Sequence, residues 1–173
     1  MTKISSSAFP EGLVRLKIDK WRSDLCGVLV SEGNDWVILL RNVVDYVIDG
    51  FIILPKNKII QLFQADGDQL TYDIIRASKK LKKLEIDDKL DFSSIIRKIG
   101  EKYKVIGIYD DDDSVLTVGH FCKLVGNQLI FESVSTKAKL EETESIDIFS
   151  INGMEFDSDY INSLKNYVFL GNK

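Results

Sequence analysis

Between residues 13 and 63 the chain carries five short apolar runs, with turn-forming residues between them and no helical period, and this restricts its fold more than any other feature. Residues 13–21 alternate, with Val14, Leu16 and Ile18 on one side and Arg15, Lys17 and Asp19 on the other, which is the period of a strand. Residues 25–30 and 36–40 are separated by Ser31-Glu32-Gly33-Asn34-Asp35, whose Gly and Asn readily take positive φ, so the two runs read as a hairpin. The next run, 48–54, contains Asp49-Gly50, which reads either as a tight turn or as a bulge within one long strand. Pro55 ends it, and residues 59–63 make one more strand. A flat sheet of five such strands would leave long unpaired edges, so a small closed or half-closed barrel is expected.

The period then changes. Leu70, Ile74, Ile75, Ser78, Leu81 and Leu84 fall at helical spacing, with Asp66 and Asp68 ahead as capping candidates and Lys79, Lys80, Lys82 and Lys83 in the last turns, where they suit the helix dipole. A second stripe, Phe92, Ile95, Ile96, Ile99 and Tyr103, follows Asp91 as its cap. Strands resume at 105–109, 115–125, 129–134, 146–151 and 154–156, and a last helix is expected after Asp157 or Ser158, with Tyr160, Ile161, Leu164, Tyr167 and Val168 on its apolar side. The expected fold class is mainly β (α+β). Two small barrels, 10–66 and 104–157, are joined by a helical pair at 67–103 and closed by a C-terminal helix at 158–170.

The halves also match one another. Gly33-Asn34-Asp35-Trp36-Val37-Ile38 lies against Gly126-Asn127-Gln128-Leu129-Ile130-Phe131, each copy preceded by a strand holding a glycine, Gly27 or Gly119, and residues 59–62 fall against 146–149. Residues 24–40, the run 48–54 and the strand at 58–60 together resemble small β-barrel proteins of the SH3-like and Sm-like type, arranged in tandem as in bacterial families of uncharacterised function. RNA-binding Sm proteins carry an Asn-bearing loop near an Asp, and an Arg-Gly or Lys-Gly turn before the last strand. Here those stretches read Asp45-Tyr46-Val47 and Pro55-Lys56-Asn57, so the resemblance implies the fold and no RNA-binding residue.

The net charge of -4 is unevenly spread: residues 1–68 sum to -1, residues 69–104 to +4 and residues 105–173 to -7. An acidic end beside a basic middle argues against a chain-wide nucleic-acid footprint and permits one local basic patch. No apolar run reaches the ~20 residues of a membrane helix and residues 1–10 have no signal-like apolar core, so a cytoplasmic protein is expected. The two cysteines, Cys26 and Cys122, are far apart and read as buried thiols rather than a disulfide. The single histidine, His120, excludes any mechanism that needs two imidazoles.

Candidate chemistry is sparse. Asp110-Asp111-Asp112-Asp113 offers hard oxygen ligands, but an EF-hand loop begun at Asp110 has Val115 where glycine is needed and Phe121 where the bidentate glutamate belongs, so a solvated hairpin tip is favoured and binding of a metal there is left open. His120 and Cys122 share a strand face, yet neighbours two apart stand ~6.5–7 Å apart at Cα, too far for easy hydrogen bonding without a bend. Arg76, Lys79, Lys80 and Lys83 have the spacing of the solvent side of an amphipathic helix, which could also meet an acidic partner or phosphates. Trp21, Tyr46 and Phe51 are groove candidates of the kind SH3-like barrels use for extended peptides, whereas Trp36 starts an apolar run and reads as core. Neither nucleotide-binding glycine signatures nor the Gly-x-Ser-x-Gly elbow occurs.

These readings point to a non-enzymatic protein-interaction module that takes a protein or peptide partner and needs no cofactor. Its oligomeric state is left open. The rivals are an acidic immunity-type inhibitor that masks a basic partner through Glu141, Glu142 and Glu144, a weak nucleic-acid binder using a basic helix at 76–83, and an enzyme built around His120 and Cys122.

Overall fold

The structure, a computed structural model, describes residues 9–110 and 113–170. The polar stretch before Phe9, and Asp111 and Asp112 of the aspartate run, lie outside the described residues. Ten strands are formed: β1 (Leu13–Ile18), β2 (Leu25–Glu32), β3 (Trp36–Val44), β4 (Val47–Pro55), β5 (Ile59–Phe63), β6 (Val105–Tyr109), β7 (Thr117–Val125), β8 (Gln128–Val134), β9 (Leu140–Asp147) and β10 (Gly153–Phe156). The helices are α1 (Asp68–Ala77), α2 (Phe92–Tyr103) and α3 (Asp159–Lys165), the last running on into a wide turn over Asn166–Leu170. No helix among the described residues is long and apolar enough to cross a membrane.

All ten strands belong to one antiparallel sheet, in the order β5-β1-β2-β3-β4-β10-β6-β7-β8-β9. The protein is thus mainly β, with three helices among the described residues, and one sheet spans both halves: β10 pairs with β4, Met154 opposite Ile53 and Phe156 opposite Phe51, and carries the sheet from one half into the other. The ladder also repeats. Val14 faces Gly27 and Ile106 faces Gly119; Leu39 faces Ile52 and Phe131 faces Glu144; Leu16 faces Leu62 and Ile108 faces Met154. Each second pair lies 92 positions beyond the first.

Both halves kink at corresponding points, with register shifts at Leu29/Ser31 in β2 and Phe121/Lys123 in β7. A glycine precedes each kink for the same steric reason: a Cβ on Gly27 would lie 2.6 Å from the Leu40 carbonyl oxygen, and one on Gly119 would lie 2.6 Å from that of Glu132. The sequence match of 33–38 to 126–131 is therefore one residue out of step with the ladder, and the strand corresponding to β5 is β10 rather than residues 146–149. The Asp49-Gly50 ambiguity resolves as a distortion inside β4: Gly50 takes φ +67° against Ser158, and the reversal occurs earlier, at Asp45-Tyr46.

The five-residue apolar run at the start of β3 is buried on both faces. Val37 and Leu39 join Val14, Leu16, Ile18, Ile52 and Leu54 on one side. Trp36, Ile38 and Leu40 join Phe51, Ile53, the α2 stripe (Phe92, Ile95, Ile96, Ile99) and the interior of the second half (Ile106, Phe121, Leu129, Phe131, Met154, Phe156) on the other. Burying each such side chain is worth about 1.5–3 kcal/mol, so this central strand holds the two cores together. Trp36 is core, as expected, and its indole N–H donates to the Leu90 carbonyl at 2.7 Å.

Two helix starts follow their caps: Asp91 accepts from Ser94 N–H at 2.8 Å, and the Ser158 hydroxyl accepts from Ile161 N–H at 3.4 Å. The α1 expectation needs correction at both ends. Its N-cap is Gly67, with no side-chain cap, while the buried Asp68 carboxylate turns to the Ala65 N–H and to the Arg15 guanidinium. The helix stops at Ala77, and Lys79 takes φ 56°. Leu81, Leu84, Ile86 and Leu90 nevertheless pack against the core from non-helical chain.

Candidate functional site

The expected binding residues do not assemble into one groove. Phe51 is core, 2% exposed and stacked on Phe156 at 5.4 Å between ring centroids. Tyr46 is exposed at the β3–β4 reversal, among the exposed Val43, Val44 and Val47, and its carbonyl accepts from Lys80 Nζ at 3.1 Å. Trp21 is half-buried against Tyr109, with ring centroids 5.0 Å apart.

The basic helix of 76–83 is also corrected, because α1 ends before most of it. Arg76 alone lies in the helix, where it pairs with Asp73 at 3.1 Å and lies over the Tyr72 ring. Lys79 and Lys83 are exposed on the non-helical chain beyond, and Lys82 approaches Asp157 at 3.5 Å. The i, i+3, i+4, i+7 face therefore does not exist, and the cations are spread along an irregular segment.

Trp21 instead lines a cleft of about 270 Å³ where β2, β3 and β6 meet, together with Cys26, Arg41, Tyr109 and Asp113. Beside it, Arg41 from β3 pairs with the buried Glu155 of β10, and the Tyr109 hydroxyl of β6 donates to the same carboxylate at 3.1 Å. Burial, and then the Glu155 charge against the opposing effect of Arg41, pushes the Tyr109 hydroxyl up to about 12, so it remains a donor. The cluster ties three strands across the junction of the halves. The Trp21 indole N–H is buried and has no hydrogen-bond partner among the described residues. Asp113 is not simply solvated: it accepts from the N–H groups of Arg22 and Ser23 at 3.0 and 2.9 Å, which hold its carboxyl below the ordinary range although burial opposes them. Burial raises the Cys26 thiol to about 11, which keeps it in the protonated form at neutral pH.

His120 and Cys122 meet by a route that strand periodicity does not show. The register shift between Phe121 and Lys123 makes Cys122 the extra residue of a bulge, and a bulge re-aims its side chain. His120 is directly opposite Glu132 on β8, with Nδ1 3.8 Å from Oε2. One donor atom each from His120, Cys122 and Glu132 falls within 4.8 Å of the others. Cys122 is exposed, against the expectation of a buried thiol, and both cysteines are free. Partial desolvation, and then Glu132, raises the Cys122 thiol, which weakens the reading of an activated nucleophile.

The remaining feature is an edge. The sheet ends at β5 on one side and at β9 on the other. Every residue of β9 except Ile146 is exposed, including Glu141, Glu142 and Glu144. Ile148 N–H donates to the Asn127 carbonyl at 2.9 Å, and Ile148 continues the alternation in which Ile146 and Glu144 face β8 partners. Backbone groups two apart point the same way, so the N–H groups of Thr143 and Ser145 point outward from the sheet. Sequence reasoning began this strand at Ile146, because Leu140-Glu141-Glu142-Thr143-Glu144-Ser145 has no apolar alternation. No family model, no curated protein and no solved structure matches the chain.

Proposed function

We propose that this protein is a non-enzymatic protein-interaction module, a tandem pair of small SH3-like/Sm-like barrels fused through β4 and β10, which docks a basic, extended partner segment on the open edge of β9. The observation that carries this reading is a strand with outward backbone donors and acceptors and with Glu141, Glu142 and Glu144 exposed along it, Glu141 also accepting from the buried Ser133 hydroxyl at 3.4 Å. An unpaired edge adds a partner strand through main-chain hydrogen bonds, and carboxylates beside it select cations and speed encounter. The acidic balance of the second half and the register repeat both support the reading, and two free thiols suit a cytoplasmic protein.

A peptide of alternating Lys and Val tests the mode. Calorimetric titration is expected to give binding that weakens with salt. Three exposed ion pairs at up to about 0.5 kcal/mol each make the combined Glu141→Gln, Glu142→Gln and Glu144→Gln variant about tenfold weaker. Ser145→Pro removes one outward N–H while leaving every charge and the β8 ladder in place, and it too is expected to weaken binding. Equal affinity for wild type and the Pro variant would reject strand addition.

A further inference from the structure

We propose that His120, Cys122 and Glu132 form a binding site for a borderline-soft divalent ion of the zinc class, with three protein ligands and a fourth position open to solvent. The donor set is one imidazole nitrogen, one thiolate sulfur and one carboxylate oxygen. Calcium and magnesium take oxygen shells, whereas a mixed nitrogen and sulfur set selects zinc and its chemical relatives.

The geometry is close to that required. Bond lengths of ~2.0–2.3 Å at a tetrahedral ion separate neighbouring donors by about 3.3–3.8 Å. Here Nδ1 of His120 and Oε2 of Glu132 are 3.8 Å apart, and the longest separation in the trio is within 4.8 Å. Closing that gap takes a shift of about 1 Å. Cys122 is exposed and the other two are only half-buried, so the side chains are free to make it.

The backbone sets up the meeting before any ion arrives. His120 and Glu132 are cross-strand partners, the bulge brings Cys122 to the same place, and the Phe169 ring packs 5.3 Å from the imidazole. The first half provides an internal contrast. Its β2 has the same kink, yet the positions 92 residues earlier are Val28, Val30 and Leu40, all aliphatic. One backbone arrangement thus carries three hydrocarbons in one half and three ligand types in the other, including the only histidine in the chain. Binding exchanges the thiol proton for a sulfur–metal bond and releases that proton to solvent, so affinity rises with pH.

The test uses the full chain, reduced and freed of metal, titrated with Co²⁺. The expected result is a thiolate-to-cobalt charge-transfer absorbance that saturates at one equivalent and is displaced by Zn²⁺. Cys122→Ser is expected to abolish the band and Cys26→Ser to preserve it. His120→Ala and Glu132→Gln should each weaken binding by about tenfold or more, at least the loss that outer-shell changes cause at metal sites. Unchanged far-ultraviolet circular dichroism verifies that each variant is folded, and Glu132→Gln, nearly isosteric, serves if the cysteine variant is not. Absence of the band in wild type, its survival in Cys122→Ser, or Glu132→Gln affinity equal to wild type would overturn the site.

Discussion

β4 and β9 occupy corresponding places in the ladder, each paired on one side to the third strand of its half, yet they have opposite fates. Residues 50–55 at the end of β4 are all buried, whereas β9 is exposed along nearly its whole length. Ile52 faces Leu39 in the first half, and Glu144 faces Phe131 in the second. Backbone pairing is therefore not what decides whether an edge is covered. Side-chain chemistry decides it: the β4 edge offers apolar surface that Met154 and Phe156 of β10 complete, and the β9 edge offers exposed carboxylates, which disfavour uncontrolled strand pairing.

The comparison breaks most visibly at the junction. Phe156, fully buried between Phe51 and Tyr103, should cost about 3–5 kcal/mol when replaced by Ala, measured by denaturant unfolding. Ile146→Ala, on the half-exposed end of β9, should cost less than about 1.5 kcal/mol. Equal costs would mean that the covered edge holds no more of the fold than the open one.

The shared kink gives the next effect. Gly27→Ala and Gly119→Ala each drive a Cβ into a carbonyl oxygen, and each should destabilise by about 1–3 kcal/mol. Similar values would sharpen the correspondence between the halves; a large cost at one site alone would show that the kinks are built differently.

Much of this was legible in the sequence and some was not, for physical reasons. Strands β1 to β5 and helix α2 declare themselves because hydrophobic period and capping residue agree, as at Asp91. Helix α1 reads too long because Ser78, Leu81 and Leu84 preserve the spacing after the backbone has left the helix at Lys79, and these leucines pack just as well from irregular chain. The start of β9 is hidden because strand propensity is judged from burial, and an exposed edge has none. The meeting of Cys122 with His120 and Glu132 depends on a bulge, which is a property of two strands in register and is written in neither alone. Arg41, Tyr109 and Glu155 come together from three strands with wide sequence separation, so no local pattern announces them.

That trio is a clamp that only the first half's β3 has, and it carries a pH signature. The folded-state value of Tyr109 lies above its unfolded value, so the stabilisation is complete below about pH 10 and is lost as pH rises through about 12. The loss is expected to reach about 3 kcal/mol, read from denaturation midpoints across that window, and Tyr109→Phe should remove that portion of the slope. An unchanged slope in the Phe variant would assign the alkaline loss to other groups.

The smallest change in stability belongs to Glu144→Ile, which gives β9 the residue that β4 carries at Ile52. The side chain is exposed, so unfolding free energy should move by less than about 0.5 kcal/mol. What should move is association. The variant adds a second exposed apolar side chain to a strand that already carries Leu140 and removes one of the charges guarding an unpaired edge, the combination that invites another strand to add. Light scattering over a concentration series is expected to show a rising apparent mass relative to wild type, reversed when a second carboxylate is restored by Ser145→Glu. A variant whose apparent mass follows wild type at every concentration would mean that the carboxylates do not keep this edge open, and that the difference between β4 and β9 must be sought in the chain that follows them.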